Sequence, residues 1–241
     1  MKTAAPATRG FTLIELLVVM GILGLLVMLL MPAVNYAIQV AYRVATQTII
    51  GQAEAGLAGF QGDFGCYPPS DRSHEFRDVA STTTYGYKNL AVFLRGPQGT
   101  GWGGNADISN PNDAGQVPSG GTSKVAYGPY FEGGTFEGIN DAFKPGMFIL
   151  YYRYEPAESP SFDFNDNKDM GFPSPQARLD LLVKRRGSGQ YVRSDYVLIS
   201  AGPDRQFGYR ADPDGDGVYT PAAATTDLGA YCDDVTNFKY E

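Results

Sequence analysis

The residues best placed to do chemistry lie near the C-terminus. Asp212-Pro213-Asp214-Gly215-Asp216-Gly217 sets carboxylates at alternate positions, with glycine at the sixth. A tight turn of this kind aims several oxygens at one centre and matches the start of an EF-hand-like calcium loop. Calcium takes six to eight oxygens at about 2.3–2.6 Å. The twelfth position is Ala223, where such a loop needs a glutamate, so the motif is half a loop. The competing reading is a solvated acidic turn, since Asp and Gly populate turns anyway. A second oxygen-rich stretch, DFNDNKD over 163–169, reads as a loop.

Other chemistry is scarce. The 241 residues include two cysteines, too few for a disulfide scaffold or a four-thiolate zinc site. Cys66 and Cys232 can bond to each other in an oxidising compartment, tying the tail to the segment after residue 64. The alternative is two free thiols. The single histidine, His74, stands in the loop-like SDRSHEF and argues against a His-cluster metal site or a Ser-His-Asp triad. No carboxylate pair stands at catalytic spacing, and an enzyme is not expected. Acidic residues outnumber basic ones 26 to 19, net −7, so nucleic acid is not an expected partner.

One further acid stands out by its surroundings. Glu15 is the only charge in residues 11–34, FTLIELLVVMGILGLLVMLLMPAV, where fifteen residues are Leu, Ile, Val or Phe. As a helix this run is roughly 36 Å long, enough for a bilayer core of about 30 Å. The aliphatic side chains favour insertion by roughly 5–9 kcal/mol, more than the roughly 3 kcal/mol a carboxylate costs at mid-bilayer. Ahead of it, MKTAAPATRG holds Lys2 and Arg9 and no acid, which keeps that end cytoplasmic. No small-residue cleavage site follows Val34, so the span is retained. Near a helix start, the helix dipole favours Glu15, but a carboxylate in an apolar stripe needs a partner or a proton.

The helix is expected to continue to near Phe64. Val34, Ile38, Ala41, Ala45, Ile49, Ala53, Leu57, Phe60 and Phe64 recur at three- and four-residue steps, one apolar stripe. Gly62, Gly65 and Pro68-Pro69 end it. A short helix is expected within 85–96, a long Gly/Asn-rich loop anchored by Trp102 over 96–123, and an extended piece over 126–131. Met147–Glu155 reads as a buried strand. Leu179–Arg186 and Tyr191–Ala201, flanking Gly187-Ser188-Gly189, read as a hairpin. These elements give an α+β fold, a long helix packed on a small antiparallel sheet with a loop-rich C-terminal region.

Arg9-Gly10 followed by FTLIELLVVMGILGLL resembles the class III signal of type IV pilins and type II secretion pseudopilins. The resemblance implies a pilin-like fold with a leader at 1–10, a transmembrane and assembly helix at 11–34 and a periplasmic domain at 35–241. It implies cleavage after Gly10 by a prepilin peptidase and N-methylation of Phe11. It gives Glu15 an assembly role, pairing with the N-terminal amine of a neighbouring copy and setting the register of a filament.

SAGPD…FG, later followed by DDVTNF, is similar to the C-terminal calcium loop of the major type II secretion pseudopilin. Asp204 and Asp234 match that pattern, with Asp233 adjacent. Two departures are an inserted segment between them and Cys232 near where another acid is expected. Which of Asp204, Asp212, Asp214, Asp216, Asp233 and Asp234 share an ion, or whether there are two sites, stays open. The implied function is a structural subunit of a type II secretion pseudopilus, anchored in the inner membrane. Its partners would be copies of itself, the peptidase, an inner-membrane assembly platform and minor pseudopilins. A type IV pilus pilin and a minor pseudopilin are the alternatives.

Overall fold

The computed structural model describes residues 12–70, 85–96, 99, 101–103, 125–135, 137–156, 161–170, 176–184, 190–192, 194–208, 210–211, 220–221 and 234–238. Its contacts divide the chain into two compact units, Met1–Ala41 and Tyr42–Glu241.

Helix α1 runs Leu13–Phe64 as expected. In the first unit every described side chain of α1 is exposed. In the second unit Thr46, Ile50, Ala53, Gly56, Leu57 and Phe60 are buried, at helical spacing. The expected stripe is right for Ala53, Leu57 and Phe60; Val34, Ile38 and Ala41 are exposed, Phe64 is partly buried, and between Ala41 and Ala53 the inner positions are displaced by one residue. Ala45 is exposed and Ile49 only partly buried, and Thr46 and Ile50 take the inner positions. The reason is a polar one: Thr46 Oγ1 accepts from Ala142 N at 3.1 Å, which turns that side inward. The helix ends where Gly65, at φ +75°, donates its N–H to Gln61 O at 2.8 Å. Glycine takes that left-handed conformation without a Cβ penalty.

Helix α2 (Gly86–Arg95) follows, then β1 (Trp102–Gly103), antiparallel to β2 (Val125–Tyr127). The 96–123 stretch thus opens with a strand, and residues 104–124 lie outside the described residues. Trp102 does anchor it: the ring is fully buried and Nε1 donates to Phe93 O at 2.8 Å.

The sheet proper has three strands in the order β3 (Leu150–Arg153), β4 (Tyr196–Ser200), β7 (Val235–Thr236), all antiparallel. Leu150 pairs with Ile199 and Tyr152 with Val197. Alternation sends Ile149, Tyr151 and Leu198 into one core with α1 and α2, beside Leu57, Phe60 and Phe93. Leu150, Tyr152, Val197 and Ile199 enter a second core with Phe162, Leu179, Leu182 and Val183. The sheet is covered on both faces.

That second cover corrects two expectations. Leu179–Arg186 is not a hairpin strand: Gln176–Val183 is helix α3. Leu179, Leu182 and Val183 lie at i, i+3 and i+4, a helical spacing that presents one apolar edge to the sheet. The chain still reverses, with a lone bridge Lys184↔Tyr191, but β4 pairs with the distant β3. The 163–169 stretch is not a plain loop: from Phe164 to Met170 it forms two 3-10 turns joined by a kink at Asn167, where φ is −134°. Its Asn167 is fully buried, accepting from Tyr87 N on Oδ1 and donating from Nδ2 to Tyr151 O, both at 2.8 Å. One side chain thereby joins α2 to the edge of β3. The approach is so close that a Cβ on Gly86 would meet Tyr151 O at 2.2 Å.

β5 (Arg210–Ala211) pairs antiparallel with β6 (Thr220–Pro221). The 212–219 connection, with Asp212, Asp214 and Asp216, lies outside the described residues.

Candidate functional site

The N-terminal site is built by four consecutive residues, Thr12-Leu13-Ile14-Glu15. Thr12 precedes the first helical residue, and Leu16 N donates to its carbonyl at 3.3 Å. Glu15 Oε2 accepts from Thr12 N at 2.9 Å and from Thr12 Oγ1 at 2.8 Å. Glu15 N in turn donates to Thr12 Oγ1 at 3.3 Å. This reciprocal arrangement is a capping box, which satisfies N–H groups that a helix start leaves unpaired. This box was not singled out from sequence, although the T-x-x-E spacing is the local signal that marks it. Glu15 therefore has a partner within its own chain, and the carboxylate remains exposed.

Around it the surface is unbroken hydrocarbon. Leu13, Leu17, Leu25 and Met28 are between 62 and 81% exposed. The helix is long and apolar enough to cross a bilayer. A helix apolar on all sides does not stand in water; it takes lipid or other helices as its solvent. Gly10 and Phe11, the expected cleavage and methylation positions, lie outside the described residues.

The C-terminal candidates divide. Asp204 sits half-buried in the loop after β4, with Oδ1 accepting from Gln206 N at 2.8 Å. Asp234 is buried just before β7, and its Oδ2 accepts from Gly208 N at 2.8 Å. Both carboxylates thus border the loop 201–208. Asp212, Asp214, Asp216 and Asp233 lie outside the described residues. Among the described residues no group of three or more His, Cys, Asp or Glu converges as a metal site. Cys66 is exposed, and its expected partner Cys232 lies outside the described residues.

The residues that hold this region were not singled out from sequence. Asn237, inside DDVTNF, accepts from Leu198 N on Oδ1 at 2.8 Å and donates from Nδ2 to Glu54 Oε1 at 3.2 Å. It joins the last strand to β4 and to α1. Asp141 is buried, with Oδ2 accepting from Ser200 Oγ at 2.7 Å and Oδ1 from Met147 N at 3.0 Å. Burial pushes its carboxyl above the usual range, and the Ser200 and Met147 bonds pull back. Tyr196 is pushed up to about 12, by burial first and then by the Glu54 carboxylate. Only the T-N run after the acids hinted at Asn237; Asp141 carried no local signal.

A long N-terminal helix with an exposed apolar first half, and a small antiparallel sheet in the second unit, define the pilin-like class of α+β fold. Residues 6–31 match the family described as the Prokaryotic N-terminal methylation motif. The match supports a type IV pilin-like protein, with the peptidase processing and filament assembly that the motif implies. No curated protein and no solved structure matches the chain.

Proposed function

We propose that the chain is a structural subunit of a type II secretion pseudopilus, helping to export folded proteins. The observation that carries the reading is Glu15, a lone carboxylate in an otherwise apolar, fully exposed helical segment inside the methylation motif. The precursor sits in the inner membrane with its C-terminal unit in the periplasm. A prepilin peptidase cuts after Gly10 and methylates Phe11. The new amine of one subunit then meets Glu15 of the next, which sets the register as subunits leave lipid for the filament. An inner-membrane assembly platform and minor pseudopilins complete the machine.

The main test is two variants of the full chain. Gly10→Ala should leave only precursor in the membrane, read by mass spectrometry; normal maturation would reject the signal. Glu15→Gln keeps an N3 acceptor for the Thr12 cap but removes the charge. Filament yield should collapse while helix content holds, and normal filaments would reject the charge-pairing role. Loss of secretion without loss of twitching, on deleting the gene, separates the pseudopilus from a type IV pilus.

Calcium belongs to the same proposal. Asp204 and Asp234 alone are too few for an ion that takes six to eight oxygens. The remaining ligands would come from Asp212, Asp214, Asp216 and Asp233. The ion would lock the C-terminal segment against the loop 201–208. Calorimetry with calcium should show binding that Asp234→Ala and Asp214→Ala weaken; no heat would remove the metal. A Cys66–Cys232 bond would tie the same segment to the end of α1, and alkylation of the unreduced protein, with mass readout, tests it.

A further inference from the structure

We draw no further inference here: the strongest candidate, the exposed face of helix α1 in the second unit marked by Thr48, Gly51, Ala55, Ala58 and Gly62, is a stripe of small residues, and nothing in the structure shows what covers it.

Discussion

Helix α1 is one helix with two solvents. From Leu13 to Ala41 every side chain is exposed, whereas from Tyr42 to Phe64 a face is buried in the second unit's core. Both halves use helix-tolerant residues, so propensity does not separate them. What differs is the distribution of hydrocarbon around the axis: on all sides in the first half, on one side in the second. The glycines make the same point. Gly21 and Gly24 have open space where a Cβ would stand. A Cβ on Gly56 would meet Tyr130 O at 2.8 Å. Gly21 and Gly24 are free of local packing, whereas Gly56 admits a neighbouring backbone.

The sharpest test of this contrast is a pair of truncations. Phe60 is fully buried and meets Phe93, Tyr130 and Trp102 edge-on. Phe60→Ala should cost about 3–5 kcal/mol in urea unfolding followed at Trp102, the single tryptophan. Leu17→Ala, in the exposed half, should leave that transition within about 0.5 kcal/mol. Equal losses would erase the distinction. Next is Asn167→Ala, which strips partners from Tyr87 N and Tyr151 O in a buried place. About 2–3 kcal/mol should be lost, and protection of the Tyr87 amide in hydrogen exchange should fall first.

Gly56→Ala should cost about 1–2 kcal/mol, since overpacking against Tyr130 outweighs a helix-propensity gain of about 1 kcal/mol. Gly21→Ala should leave the same melting curve unmoved. If Gly56→Ala stabilised the protein, the close approach would be wrong.

The smallest expected effect is a pH slope. Burial raises the Asp141 carboxyl in the fold, so the folded chain holds that proton more tightly than the unfolded one. Stability from this group is present at low pH and is lost as pH rises from near the ordinary value of about 4 up through the folded pKa. Asp141→Asn should remove that decline. Urea midpoints of both proteins over about pH 4–7 should therefore diverge, and parallel curves would contradict the assignment.

Much of this was legible in the sequence because it is local. Hydropathy over 11–34, the three- and four-residue steps through Leu57 and Phe60, and the glycine stop at 65 need no partner to be read. The 179–186 segment was misread because a short apolar run fits a strand or a helix. The missing fact was an uncovered sheet face lined by Leu150, Tyr152 and Ile199. Asn167 was hidden for a similar reason. Its partners lie 80 and 16 residues away, and a buried amide in a polar stretch looks like a turn.

Sequence by itself determined an apolar helix with one acid near its start, a motif for cutting and methylation, and an α+β class. Those follow from composition and spacing along a single segment, which act whatever the rest of the chain does. Tertiary structure alone decided which strand pairs with β4, that α3 is a helix, and that Asn167, Asn237 and Asp141 are structural joints. Such choices depend on which backbone groups and apolar faces remain uncovered once distant segments meet, and no local pattern carries that information.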